Sequence, residues 1–359
     1  MPTTTYLFDA DGRDREVILQ SSDLETLGDH QLLWVDLVTD DFDEWLEASA
    51  LLRLPPVLND IIYRRLKKDG HEPARPRLDV YDTCFHLNVE AVQDRNNSAD
   101  EDAPPPKAKV RARPSSAVSV VAVPVFKIIT VDFVVLPNLL VTLHTEPAGF
   151  LTSFDRRIKG DSHLGSLDGP AFLGALLSFH VTGYFRAMET LEAEVDRIDD
   201  AALRLRRGAE ERDLLADMVK VRRRLALVRR ALLPHREIYA TLARPRFAAF
   251  VSEEATDTLR LMYDRMERAV ETTENGRELI LGSFDIFTTQ AALRTNEVVK
   301  VLTVISALLL PAGVIATLSA LFIRAPVYDL GKAGFWGLII GIPVIGVLVY
   351  FVARRRNWL

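Results

Sequence analysis

The sequence contains a single cysteine, Cys84, among its 359 residues. An intrachain disulfide is therefore excluded, which is typical of proteins in a reducing compartment. The seven histidines never fall at the spacing of metal ligands, so we expect no structural zinc site. The hydrolase motif GxSxG and the phosphate-binding motifs Walker A and GxGxxG are also missing. We therefore expect neither an enzyme nor a tightly bound cofactor.

The first 300 residues lack a long apolar run. At the N-terminus in particular, Arg13, Arg15 and several acidic residues interrupt the sequence. A secretory signal requires an uninterrupted apolar stretch. We therefore expect these residues to remain in the cytosol.

Two long uncharged runs lie near the other end of the chain, in a sequence with a net charge of only −6. They comprise 23 residues from Val301 to Ile323 and 21 residues from Ala333 to Ala353. As a helix, each run can cross about 30 Å of hydrocarbon. The sequence thus predicts two transmembrane helices, joined by a turn at 324–332.

Basic residues near these runs predict their orientation. Only Arg324 and Lys332 lie in the connecting turn, whereas five basic residues lie on the other sides of the runs: Arg294, Lys300, Arg354, Arg355 and Arg356. By the positive-inside rule, both termini face the cytoplasm and the turn faces the periplasm. We expect a bacterial inner (plasma) membrane protein with a short basic tail at 354–359.

Residues 1–245 have the pattern of a cytoplasmic α/β domain with a helical arm. Strand patterns occur at 32–37 and 77–92, and β-branched runs follow at 118–136 and 139–144. Residues 94–116 are rich in proline, charge and small polar residues, which predicts a flexible insertion. After Gly169, apolar residues recur at every third or fourth position, which predicts long helices.

One of these helices is predicted to be exceptionally long. No proline occurs between Pro245 and Pro311, so a helix can run from Val251 to Ile323, through a stalk at 246–300 and the first transmembrane segment at 301–323. So long a helix has no core of its own chain to cover it, which predicts bundling with further copies. The fold class is an α+β membrane protein.

The predicted stalk carries carboxylates at helical spacing: Asp257, Asp264, Glu267, Glu271, Glu274, Glu278 and Asp285. This carboxylate stripe could bind divalent cations through oxygen ligands. It could instead be a solvated helix face, which we favour for most members because arginines lie among them. Asp285 is the exception, since it is closest to the membrane and could form a ring in an oligomer.

A polar stripe follows one side of the first transmembrane segment: Asn296, Val299, Thr303, Ser306, Leu310, Gly313 and Thr317. In lipid, a side that carries asparagine, threonine, serine and glycine should face other protein or water. The spacing alone fits helix packing and pore lining equally well.

Three features stand out at the junction of stalk and first span and at the end of the chain: the string TNEVVKVLT at 295–303, Pro311 and the terminal string RRRNWL. Together they resemble the CorA family of two-span divalent cation channels. Looser matches at LWVDL, LPPVLNDII and RPRLDVYD extend the resemblance over nearly the whole chain.

This resemblance implies a homopentamer embedded in a lipid bilayer, with cytoplasmic α/β/α domains that form a funnel and first spans that surround a central pore. Asn296 would form a ring at the cytoplasmic end, and Asp285 would lie at the inner mouth. Val299 and Leu302 would form an apolar constriction, and Leu310, Gly313 and Thr317 would line the outer half. The partners implied are further copies, lipid and divalent metal ions, and no nucleic acid.

The sequence departs from the family at the outer end of the first span. Relatives have Gly-Met-Asn, or Gly-Val-Asn in the ZntB branch, where this chain has Ala320, Leu321 and Phe322. A hydrated divalent ion needs oxygen acceptors, which Phe322 does not offer. The turn holds two cations and one anion, so five copies would give a mouth of net charge +5 that repels cations at low salt.

Two functions remain open from the sequence. One is a channel or transporter for magnesium, cobalt, nickel or zinc with an altered outer filter, with zinc transport coupled to protons as a variant. The other is a non-conducting pentameric scaffold or regulator that retains the fold. Phe322 could also be an interfacial anchor. We favour the first function, although a fold by itself does not specify a substrate.

Overall fold

A computed structural model describes residues 3–11, 14–18, 27–28, 30–67, 75–94, 126–158, 164, 166–204, 208–245, 247–321, 336–337, 340–341, 343–344, 347, 351 and 355. The chain divides into two compact units. Unit 1 comprises Met1–Ala201 with Arg206–Leu281, and unit 2 comprises Ala202–Leu205 with Gly282–Leu359. The insertion predicted at 94–116 lies outside the described residues, except for Asp94.

Unit 1 is built on a seven-stranded sheet with the order β2-β1-β3-β7-β6-β5-β4. The strands are β1 Thr3–Asp9, β2 Arg15–Glu16, β3 Gln31–Val38, β4 Arg77–Val80, β5 Phe85–Asp94, β6 Phe126–Leu136 and β7 Leu139–His144. Strands β3 and β7 are parallel, and the other neighbouring pairs are antiparallel. The predicted strand at 32–37 lies within β3.

The stretch 77–92 forms a hairpin, so the prediction of one strand there was wrong. β4 ends at Val80 and β5 begins at Phe85, and the Tyr81 N–H donates to the Cys84 carbonyl at 2.8 Å across the turn. The turn contains no glycine or proline to mark it, and the alternating pattern continues on both sides. Arg77, the first residue of β4, lies opposite Asn88. The later part of β5, up to Asp94, therefore extends beyond β4.

Helices cover both faces of the sheet. On one face, α1 (Phe42–Leu51) and α2 (Val57–Lys67) pack in an apolar cluster that includes Trp45 and Ile62. On the other face, the Trp34 ring lies 5.8 Å from Phe154 of α3 (Gly149–Ile158) and 5.9 Å from Phe172 of α4 (Gly169–Arg204). Unit 1 therefore has the α/β/α layers that the resemblance implied.

The start of α4 requires glycine at position 169. A Cβ there would clash with the carbonyl oxygen of Leu136, a backbone atom of β6 that cannot move aside. We expect Gly169→Ala to lower the free energy of unfolding by about 3 kcal/mol, as overpacking does. Thermal unfolding of the full chain, followed by tryptophan fluorescence, measures this effect. Gly28→Ala is the control, because a Cβ at Gly28 meets no described atom within 4 Å; equal melting temperatures for the two variants would refute the prediction.

Three further helices follow α4. They are α5 (Gly208–Leu232), α6 (His235–Leu242) and α7 (Glu253–Leu321). Pro234 lies between α5 and α6, where it separates two helices rather than kinking one. Helix α7 has 69 residues, or about 100 Å at 1.5 Å per residue. Its bounds lie within two residues of those predicted, and Gly276 and Gly282 do not interrupt it.

The predicted transmembrane segments are only partly described. Over the part of the chain that the structure describes, no helix offers a stretch that is both long and apolar enough to cross a membrane. Residues 322–335 and most of the remainder up to 353 lie outside that part. The spans at 301–323 and 333–353 therefore stay predictions.

Candidate functional site

The polar stripe lies on one side of α7. Its seven members have exposed side chains, or an exposed backbone for the glycine: Asn296, Val299, Thr303, Ser306, Leu310, Gly313 and Thr317. Leu302, the other residue expected to line a pore, is exposed as well. A Cβ added at Gly313 would meet no described atom within 4 Å. At 100° per residue, the buried Val304 lies on the other side of the helix. The stripe is thus an accessible surface of unit 2.

Two hydroxyl groups of this stripe are bonded to their own helix. Thr303 Oγ1 donates to the Val299 carbonyl, and Thr317 Oγ1 donates to the Gly313 carbonyl, each at 2.7 Å. Because each hydroxyl proton is used in this way, the lone pairs of the oxygen remain as acceptors. Such oxygens can accept hydrogen bonds from the water shell of a cation.

The predicted outer filter and basic tail are described only in part. Ala320 and Leu321 form the last turn of α7, but their side chains are not among the described groups. Phe322, the connecting turn at 324–332, Arg354 and Arg356 lie outside the described residues. Arg355 is described as helical and exposed.

The carboxylate stripe separates into two sets. Five carboxylates recur at every seventh residue with exposed side chains: Asp257, Asp264, Glu271, Glu278 and Asp285. One of these, Asp257, lies 3.5 Å from the guanidinium of Arg260. Within the described ranges, no group of three or more histidine, cysteine or acidic side chains is arranged to hold a metal ion.

The other two carboxylates of the stripe tie α7 to neighbouring helices. Glu267 accepts two hydrogen bonds from Arg236 of α6, at 2.7 and 2.9 Å. Glu274 accepts a hydrogen bond from Arg229 of α5 at 3.0 Å. The hydrogen bond from Arg236 lowers the pKa of Glu267. These two contacts favour a structural role over cation binding for this pair.

Sequence reasoning missed a buried ionic network between the sheet and α2. Arg65 forms an ion pair with Asp132 of β6 and donates to the Thr130 carbonyl at 3.1 Å. His86 Nε2 lies 2.9 Å from Asp132 Oδ1. Burial lowers the pKa of Arg65 to about 10 and also lowers the pKa of His86. These residues lie far apart in the chain, so no local pattern signals the network.

A second buried polar cluster, also missed, surrounds the backbone of Glu90 on β5. His180 and Tyr184 of α4 contact its carbonyl oxygen at 2.8 and 2.6 Å, and His235 of α6 accepts from its N–H at 3.0 Å. Burial lowers the pKa of His180 to about 4 and holds the pKa of His235 well below its usual value. Burial also raises the pKa of the Glu90 carboxyl to about 7, which the charge of Arg230 partly offsets. Both imidazoles are therefore neutral at neutral pH.

Comparisons with known proteins show which family the sequence matches. The sequence model of the CorA-like Mg2+ transporter protein family matches residues 29–355. The cobalt/magnesium transport protein CorA of Thermotoga maritima is 26% identical over 192 residues, which are 52% of this chain and 52% of that protein. The alignment thus spans about half the length of that relative.

Two solved structures share the fold. The CorA magnesium transporter of Methanocaldococcus jannaschii matches with a TM-score of 0.71 and 16% identity, over 100% of this chain and 99% of that chain. The full-length CmaX protein matches with a TM-score of 0.62 and 20% identity, over 99% of this chain and 97% of that chain. At such identities these structures support the fold alone.

Proposed function

This chain belongs to the CorA-like Mg2+ transporter protein family, and on that basis we propose that it conducts divalent cations across a membrane. The resemblance predicted from the sequence is thereby confirmed, and the family is one of transporters rather than of enzymes. The observation that carries the proposal is the length of the match, which includes the whole of α7 and both predicted spans. The cations proposed are magnesium, cobalt, nickel or zinc.

Exposed apolar side chains support a membrane location for unit 2. On α7, Val298, Leu302 and Leu309 are each more than 60% exposed. In the second predicted span, the described apolar residues are exposed as well: Trp336, Ile340, Val344, Val347 and Phe351. Apolar surface of this extent requires lipid or protein to cover it. We propose that the bilayer is the bacterial inner membrane, with both termini in the cytoplasm.

A pore also requires further copies of the chain. Two helices per protomer cannot enclose an aqueous path, so we propose a homopentamer in which α7 surrounds the axis. The polar stripe would then face the path, with the acceptor oxygens of Thr303 and Thr317 toward the hydrated ion. Asn296 would form the inner ring, and the exposed carboxylate of Asp285 would lie at the cytoplasmic mouth.

The outer end of the proposed pore has an altered filter. Ala320, Leu321 and Phe322 offer no side-chain oxygen, so selectivity cannot rest on side-chain acceptors there. An aromatic ring returns only about 2 kcal/mol through cation–π attraction, which is far less than dehydration of magnesium costs. We therefore propose weaker discrimination among divalent cations than Gly-Met-Asn would provide.

Flux measurements on the purified full chain in liposomes test the proposal. We expect uptake of at least one of magnesium, cobalt, nickel and zinc, measured with an entrapped fluorescent indicator under an imposed gradient. Liposomes without protein give the background rate. Background rates for all four ions at every gradient would contradict transport and support the non-conducting scaffold.

Restoring the family filter provides a further prediction. We expect the triple variant A320G/L321M/F322N to raise magnesium flux at least about tenfold, because an amide ring supplies acceptors for the water shell at about 1.5–3 kcal/mol per hydrogen bond to a charged group. The double variant A320G/L321M retains Phe322 and is the matched control, for which we expect no gain. Equal rates for the two variants would show that position 322 does not control entry.

A further inference from the structure

The backbone of Glu90 lies on a stretch of β5 that β4 does not cover. β4 pairs with β5 only as far as Asn88, so no strand of the described residues pairs with the outward N–H and carbonyl of Glu90. Side chains take the place of a strand: His235 Nε2 accepts from the N–H, and His180 Nε2 and Tyr184 Oη donate to the carbonyl oxygen. The edge is thus closed by α4 and α6.

These contacts fix the protonation of both histidines. A carbonyl oxygen only accepts, so His180 Nε2 carries the proton, and its Nδ1 accepts from the Tyr239 hydroxyl at 2.9 Å. A backbone N–H only donates, so His235 Nε2 is unprotonated, and its Nδ1 donates to the Ala231 carbonyl at 2.8 Å. Each neutral ring therefore uses one nitrogen as donor and the other as acceptor.

Protonation of either ring would disturb this arrangement. A second proton on His235 would point at the N–H of Glu90, which cannot accept it, and a second proton on His180 would require the Tyr239 hydroxyl to turn its own proton away. The two ring centroids are 5.0 Å apart, so two positive charges would also repel each other in a fully buried site. The closed site cannot satisfy the hydrogen bonds and charge of a protonated ring, so protonation requires these contacts to open.

The described groups near this pair come from β5 and from four helices. Tyr184 comes from α4 and Tyr239 from α6, and burial raises the pKa of both hydroxyls. Arg230 of α5 and the Glu90 carboxyl of β5 are the nearby charged groups, and Phe150 of α3 packs its ring against His180. None of these can neutralise a second imidazolium.

His235 is adjacent in sequence to Arg236, one of the two arginines that tie α7 to neighbouring helices. Arg236 donates to both carboxylate oxygens of Glu267 on α7. We propose that His180 and His235 form an acid-released latch, which binds β5 to α4 and α6 and, when it opens, loosens the Arg236–Glu267 contact on α7. For transport, this means that acidification of the cytosol would release α7, the helix that carries the polar stripe. This consequence rests on the proposed function.

The number of protons taken up on opening determines how steeply opening of the latch depends on pH. Between pH 6.5 and 4.5, opening lets both histidines take up a proton, since their pKa values are depressed only in the closed state, so acid favours opening. The Glu90 carboxyl acts in the opposite sense, because its pKa is raised in the closed state and it loses a proton on opening. The net uptake is one proton, and opening should rise about tenfold per pH unit on acidification.

Hydrogen exchange of the full chain in detergent tests the latch without any transport assay. The readout is the protection factor in peptides covering 87–94 and 231–239, corrected for intrinsic exchange rates, between pH 6.5 and 4.5. We expect protection to fall about tenfold per pH unit for the native protein and about a hundredfold for Glu90→Gln, which keeps the backbone contacts and removes the opposing carboxyl.

Controls distinguish the latch from general acid sensitivity. We expect His30→Gln, at an exposed histidine of the same unit, to leave the slope unchanged, and His180→Gln or His235→Gln to flatten it. Identical slopes for native protein and Glu90→Gln would overturn the latch, whether or not the histidine variants fold. If the expected pH dependence of protection is observed but ion flux stays at background, the proposed function is contradicted and the latch is not.

Discussion

Replacing Arg65 with methionine is expected to lower the free energy of unfolding by about 3 kcal/mol or more, the cost of leaving one charge of a buried pair without its partner. Asp132 is 1% exposed, and Arg65 is its ion-pair partner. The Arg65 guanidinium also satisfies the carbonyl of Thr130, which would lose that donor. Urea unfolding of the full chain, followed through the buried Trp34 and Trp45, measures the change.

Two companion variants isolate the charge. Arg64→Met changes the adjacent, exposed arginine of α2, and we expect it to stay within about 0.5 kcal/mol of the native protein. Adding Asp132→Asn to Arg65→Met removes the uncompensated charge and leaves an amide oxygen for His86, so at least half of the lost stability should return. No recovery in the double variant would show that packing of the arginine, not the ion pair, dominates.

Replacing Asn296 with leucine is expected to reduce divalent cation flux at least about tenfold, because each hydrogen bond to a charged group is worth about 1.5–3 kcal/mol. Leucine has the same branched arrangement of side-chain heavy atoms as asparagine but offers no acceptor to the water shell of an ion. Asn296 is exposed on α7 at the start of the polar stripe, so the substitution should leave the fold intact. Initial rates of magnesium and cobalt uptake into liposomes measure the effect.

The matched control for this variant lies on the other side of the same helix. Val301 is 53% exposed and, at 100° per residue, points away from the polar stripe. We expect Val301→Ala to keep at least half of the native flux, and Asn296→Gln, which retains an amide, to keep more flux than the leucine variant. Equal losses of flux for Asn296→Leu and Val301→Ala would show that the polar stripe does not line the ion path.

The sequence predicted features that depend on local spacing. The polar stripe follows from 100° per residue on an uninterrupted helix, and α7 ends within two residues of the predicted limits. The family was predicted from the string at 295–303 and the terminal basic string, which are contiguous in the chain. The mixture of strands and helices followed from alternation and helical periodicity, which record burial on one side of each element, whereas the two layers of helices over the sheet were implied by the family resemblance.

Other features could not be predicted, because they depend on which elements become neighbours. The spacing of Glu267 and Glu274 fits a single carboxylate stripe, yet in the fold they face Arg236 and Arg229. The hairpin within 77–92 has no glycine or proline at its turn. The parallel pairing of β3 with β7 joins strands more than 100 residues apart.

The sequence by itself thus determined the family, the long helix and the side of that helix that carries polar groups, since each is a property of consecutive residues. Only the tertiary structure decided that Glu90, His180 and His235 share one set of hydrogen bonds. The physical reason is that a strand edge left uncovered must satisfy its N–H and carbonyl groups, and the residues that do so are chosen by helix packing rather than by position in the chain.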